Sequence, residues 1–247
     1  MKNLVSFREL DSLGEGLVKD YAKKTHRWNS MCLDIEGFIT DYLELRIVYE
    51  SIAEEDKSKL GFMADGATSL RVTRDRKTVS VIFPKGVIVI EKFLQRDSEY
   101  ARRRFTLAHE AAHAILARHI PLQAGACFQS EFDESVSYSN DELQRMFSMN
   151  EACANRLGAA ILMPGYRMDR ALKKYNDGNK LLCYGGVFPQ REKLLIQTMA
   201  NALGVSVPAM TNRIRELKLL DCQPIDQYIR EELRLGRNCR DGGCSRI

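Results

Sequence analysis

The chain has 247 residues, 45% of them apolar, enough for one large or two small packed domains and too apolar for global disorder. Its 37 basic and 33 acidic side chains leave a net charge of only +4, which permits DNA contact without arguing for it. No apolar run reaches membrane-spanning length, and residues 1–9 lack the apolar core of a signal peptide, so a cytoplasmic protein without membrane contact is expected. The seven Cys are odd in number and irregularly spaced, which suits a reducing compartment rather than a disulfide framework. Cys239 and Cys244 sit in a polar tail and read as two reduced thiols in a frayed terminus.

In chain order, residues 5–24 carry Phe7, Leu10, Leu13, Leu17, Val18 and Tyr21 at helical spacing, weakened by Gly14 and Gly16. Residues 31–44 predict a helix with one apolar stripe (Ile35, Phe38, Ile39, Tyr42, Leu43), capped by Asn29 or Ser30, and a strand over 46–50 follows. Between 70 and 91 the β-branched runs Val79–Phe83 and Val87–Ile90 predict strands, split by the turn Pro84-Lys85-Gly86 and paired with the upstream run Leu70–Thr73. A helix is expected from Ser98, as its cap, to Arg118, with Phe105, Ala108, Ala112, Ile115 and Leu116 buried. Residues 123–150 read as a long loop with a short helix over 140–147, and a loop of that length is functional or mobile. Helices over 150–162, 191–203 and 207–219 follow, with an irregular Gly- and Asn-rich stretch over 166–190.

The expected metal helix contains His109-Glu110-Ala111-Ala112-His113, two of the four His of the chain in one H-E-x-x-H run. Positions four apart share a helix face, so both imidazoles can reach one metal ion, and Glu110 lies beside the water such an ion holds. This is the zinc-peptidase arrangement, two His ligands and a carboxylate base.

A catalytic zinc needs a third protein ligand. His119 is angled away, and the loop offers Glu131, Asp133, Glu134, Asp141 and Glu142. Glu151 is favoured: it starts a helix whose other face (Leu157, Ala160, Ile161) is apolar, so packing would fix its aim. Asn155, one turn on, shares its face and could hold the free ring nitrogen of a ligating His, whereas Cys153 faces away. Tyr166 and Arg104 are weak candidates for a second oxyanion donor, better read as a packed Tyr and a solvated Arg. The sheet over 79–90 offers an edge to an extended substrate strand.

Three stretches resemble the ImmA/IrrE family of zinc metallopeptidases. Arg104–His113 resembles its R-F-T-x-x-H-E-x-x-H segment, Glu151–Pro164 its E-x-x-A-N-x-F-A-x-x-L-L-M-P helix, and Leu203–Leu217 a downstream helix pair. The resemblance covers roughly residues 35–220 and departs at Leu157-Gly158, where Phe-Ala is usual, and in a longer segment between His113 and Glu151, which reads as a lid or substrate-selecting insertion. It implies Zn2+ held by His109, His113 and Glu151, Glu110 as general base, and a helix-turn-helix repressor as the protein cleaved, derepressing mobile-element or stress-response genes.

A rival reading takes 200–219 as a DNA-binding helix-turn-helix, with Gly204 at the turn, Ser206 as cap, and Arg213, Arg215 and Lys218 on the second helix. Met210, Ile214 and Leu217 would equally pack an ordinary helical hairpin, so DNA binding is not favoured. A third reading is a metal-bound interaction module without turnover, against which the intact Glu110 argues. The expected fold is α+β: a small, mainly antiparallel sheet packed on the metal-motif and third-ligand helices, with a helical C-terminal part. The expected divisions are a helical extension over 1–30, a metallopeptidase domain over 31–190, the helix pair over 191–222 and a tail over 223–247.

Overall fold

The computed structural model describes residues 6–56, 59–119 and 140–229, with backbone alone for 119 and 140–149. The expected ligands Glu131, Asp133 and Glu134, the side chains of Asp141 and Glu142, the loop over 123–139 and the tail cysteines lie outside the described residues.

Helix α1 (Phe7–Lys24) starts at a capping box in which Ser6 and Glu9 satisfy each other's backbone N–H. Gly14, which weakens the helix locally, lets two helices touch: a Cβ there would lie 2.9 Å from Ala160 Cβ on α4 (Asn140–Leu162). The next helix is shorter than its stripe predicts. Asp34, not Asn29 or Ser30, caps a single turn, α2 (Ile35–Gly37), by accepting from the Gly37 N–H at 3.0 Å. A π-helical turn over Phe38–Tyr42 completes it.

The sheet at the site has three strands in the order β1 (Arg46–Glu50), β5 (Val87–Glu91), β2 (Gly61–Met63). β1 runs parallel to β5 and β2 antiparallel. Val87 to Ile90 are all buried, which explains the unbroken apolar run of this central strand. Successive side chains point to opposite faces: Ile88 and Ile90 join the main core, while Val87 and Val89 join a second cluster with Phe62, Leu70 and Val72. β3 (Ser69–Arg74) and β4 (Lys77–Ile82) form a separate antiparallel hairpin. Its turn is Asp75-Arg76, both left-handed (φ 50° and 62°). Pro84-Lys85-Gly86 therefore carries the chain between sheets rather than closing a hairpin of β4 and β5.

The metal-motif helix α3 (Tyr100–His119) follows a 3-10 turn over Asp97–Glu99, so Ser98 lies inside that turn rather than capping α3. The third-ligand helix begins ten residues earlier than expected and absorbs the short helix over 140–147. The stretch read as irregular contains α5 (Gly165–Asn176) and β6 (Leu181–Tyr184). Two helices, α6 (Gln190–Leu203) and α7 (Val207–Glu216), cross at 101°, and β7 (Leu220–Gln223) returns to pair in parallel with β6. The turn between α6 and α7 has the expected chemistry: Gly204 is left-handed at φ 67°, and the Ser206 hydroxyl accepts from the Ala209 N–H at 3.3 Å. Among the described residues no single helix is long and apolar enough to cross a membrane. The molecule is α+β, with one core cluster drawing on Val18 of α1, Ile115 of α3, Ile161 of α4 and Ile214 of α7.

Candidate metal centre

Helices α3 and α4 create the site by an unusually close crossing. A Cβ on Gly158 of α4 would sit 3.2 Å from the backbone of Ala108 and His109 on α3. The Leu157-Gly158 departure from the usual Phe-Ala therefore marks where the two backbones touch, directly beneath the first histidine of the motif.

Above that crossing four side chains converge. His113 Nε2 lies 3.1 Å from His109 Nε2. Glu151 places one oxygen 3.2 Å from His109 Nε2 and the other 3.4 Å from His113 Nε2. His109 Nδ1 is 3.0 Å from Asn155 Oδ1. An amide oxygen only accepts, so that contact puts a proton on Nδ1 and makes Nε2 the nitrogen that meets Glu151 and that a metal ion would take. The structure thus brings together His109, His113, Glu151 and Asn155, and of the candidate third ligands whose side chains are described only Glu151 reaches the histidines.

These donors fit a metal ion. Tetrahedral bonds of about 2.0–2.2 Å set ligand atoms roughly 3.3–3.6 Å apart. The observed separations of 3.1, 3.2 and 3.4 Å lie close to that spacing. Two imidazole nitrogens and a carboxylate converge on one small volume, where shared protons or a metal cation would hold them together.

The electrostatics agree. Hydrogen bonds from His109 and then His113 hold the Glu151 carboxyl far below the usual carboxylate range. Burial pulls His109 down, but the Glu151 hydrogen bond and the charges of Glu110 and Glu151 outweigh it and leave its pKa raised. Glu110 is buried, and burial pushes its carboxyl above the ordinary range against the pull of His109 and His113.

Glu110 occupies its position because β2 has no side chain there. A Cβ at Gly61 would fall 2.5 Å from Glu110 Oε1 and 2.8 Å from Thr106 Cγ2. Nothing in the local sequence marks Gly61; its meaning depends on a strand brought against α3 from 49 residues away. The four residues line a cleft of about 1240 Å³ walled by β2, α3 and the start of the described side chains of α4. The strand facing this cleft is β2, not the expected edge over 79–90.

The family model described as the IrrE N-terminal-like domain, a peptidase family, matches residues 40–215, more than two thirds of the chain. The chain belongs to the IrrE N-terminal-like peptidase family. No curated protein matches the sequence. The match supports a metallopeptidase, and a peptidase acts on a protein or peptide substrate.

The remaining candidates have other tasks. Arg104 is buried rather than solvated, and its Nε donates to the Gly204 carbonyl at 2.9 Å. The Tyr166 hydroxyl is buried on α5 and, like Arg104, does not line the cleft. Arg213, expected to face DNA in the rival reading, is 1% exposed. It donates to the Met163 carbonyl and pairs with Asp11 and Glu216. Of the three basic side chains of that reading Arg213 is therefore spent in the core, while Arg215 and Lys218 are exposed.

Proposed function

We propose that this protein is a zinc-dependent endopeptidase that cleaves a helix-turn-helix repressor and thereby derepresses mobile-element or stress-response genes. The observation that carries the zinc reading is the set of donor separations among His109, His113 and Glu151. The repressor rests on the family resemblance of the two motif helices.

In this reading His109, His113 and Glu151 hold the ion, and Asn155 fixes the ring and tautomer of His109. Zinc, when bound, supplies an acidified water and polarises the scissile carbonyl. Glu110 takes the water proton and returns it to the departing amine. Its buried, raised carboxyl suits that task, because a base with a pKa nearer neutrality both accepts and releases a proton readily. The β2 edge beside Glu110 supports the substrate backbone. Leu60, Phe62 and Ala64 turn their backbone groups towards β5, so those of Gly61 and Met63 face the cleft.

Elemental analysis beside a repressor-cleavage assay tests the reading. Wild type is expected to hold about one zinc per chain and to cut, His113→Ala to lose both properties, and Glu110→Gln to keep the metal and lose at least about a hundredfold in rate. Full activity in Glu110→Gln would sink the mechanism. Metal binding with no cleavage of any repressor would favour the interaction module.

A further inference from the structure

The cleft is chemically uneven along its length. At one end β2 begins at Gly61, against Thr106 and Glu110. At the other, Ala64 donates to the Val87 carbonyl at 2.8 Å, and Arg46 donates to the Gly86 carbonyl at 3.0 Å. Arg118, near the end of α3, donates from Nη1 to the Leu43 carbonyl at 3.1 Å. β2 and α3 therefore run in the same direction: the far end of β2 meets the Lys85-Gly86 turn, and Arg118, near the end of α3, holds Leu43, two residues before Leu45, which lies beside Gly86.

Lys85 and Arg118 are both exposed and both line the cleft at that far end. Among the described residues neither forms an ion pair. Asp65, next to Gly66 whose backbone adjoins Lys85, also lines the cleft, and its carboxylate is engaged by its own loop. It accepts from the backbone of Ala67 and Thr68 at 2.8 and 2.7 Å and from the Thr68 hydroxyl at 2.6 Å. The acidic rim formed by Glu54 and Glu55 is likewise paired, with Arg71. Among the described residues at the far end of the cleft, Asp65 is engaged by its own loop and Lys85 and Arg118 are the cations outside any ion pair.

Given the peptidase reading, on which this step rests, we propose that Lys85 and Arg118 form a specificity subsite for an acidic side chain of an extended substrate. Antiparallel addition to β2 gives the more stable ladder. A substrate paired that way runs opposite to β2, so its N-terminal part lies at Lys85 and Arg118 and its C-terminal part at Gly61. Arg118 is about 10 Å along the helix from the middle of the H-E-x-x-H turn, at 1.5 Å per residue. An extended chain covers that distance in about three residues. The preferred substrate thus carries Asp or Glu about three residues N-terminal to the bond that is cut.

Two measurements separate this inference from the function beneath it. Glu110→Gln protein is titrated with fluorescein-labelled, Pro-free decapeptides that differ only in carrying Glu, Gln or Lys in their N-terminal half. The Glu peptide is expected to bind about fivefold more tightly than the Gln peptide and the Lys peptide more weakly still, the spread shrinking at high salt. Lys85→Glu with Arg118→Gln, both surface changes, should reverse the order. Equal binding of the three peptides, or an order that survives the reversal, overturns the subsite. Separately, wild-type protein with zinc digests a mixed peptide library, and cut sites are read by mass spectrometry. Enrichment of acidic residues about three positions before the cut supports the subsite, and cuts with no such enrichment overturn it while leaving the peptidase standing. Charge-selective binding with no cleavage of the library would instead remove the peptidase reading and keep the cationic subsite.

Discussion

Helix α4 carries two polar clusters on different faces, one an internally paired set of charges and the other a set of potential metal donors. On one side Arg156 pairs with Asp11 of α1 and with Glu216 of α7, and the buried Arg213 pairs with the same two carboxylates. Cations and anions are matched there, so the cluster works as a strut joining α1, α4 and α7. On the other side Glu151 and Asn155 meet His109 and His113, and the groups aimed into the centre are two imidazole nitrogens and a carboxylate, all potential metal donors. A set of charges that closes on itself stabilises a fold; a set of donor atoms converging on one point would suit a metal ion. The same helix thus anchors the structure with one face and offers chemistry with the other.

Four changes would break or sharpen that contrast. Arg213→Ala leaves Asp11, Glu216 and the Met163 carbonyl without their buried partner, and is expected to cost about 3–5 kcal/mol in denaturant unfolding. Zinc content of the folded fraction should be unchanged; parallel loss of metal would show that the strut and the centre are one unit. Gly61→Ala drives a methyl into Glu110 and Thr106 and is expected to cost about 1–3 kcal/mol. Its mark is a fall in cleavage rate larger than the fall in metal occupancy, because Glu110 moves and the three donors do not.

Gly158→Ala should cost less, about 1 kcal/mol net, since crowding against the Ala108 backbone is partly offset by better helix propensity. Prising α3 from α4 separates His109 from Glu151, so zinc affinity should fall by more than stability does, measured by competition with a chelator. The smallest effect concerns Tyr42, whose hydroxyl donates to Asp20 at 2.8 Å. Burial first, and then that hydrogen bond, push its pKa from near 10 to about 12. A raised pKa favours the neutral form in the folded state, so this contribution is intact below about pH 10 and is lost as pH rises through about 12. Tyr42→Phe should remove that alkaline loss in thermal melts, and an unchanged profile would refute it.

The local sequence announced the elements whose cause is local. The H-E-x-x-H run, the strand over 46–50, the Gly204 turn and the Ser206 cap were legible because periodicity and turn chemistry act over a few residues. Glu151 and Asn155 could be picked because one helical turn puts them on one face. The strand β2 could not: three residues with no alternation become a strand only when β5 pairs with them. α5 was hidden by its charged residues, and its helical form rests on burying Met168, Ala171 and Leu172 in a core shared with distant helices.

By itself, then, the sequence determined which residue types could hold a metal and which helices would present them, since donor chemistry and helical spacing are written in short stretches. Tertiary structure alone decided that Glu151 meets both histidines, that Gly158 and Gly61 had to lack side chains, that Arg213 belongs to the core, and that a strand edge, unpaired among the described residues, lies beside Glu110. Those outcomes depend on contacts between segments tens of residues apart, and their distances are set by how closely the packed backbones approach.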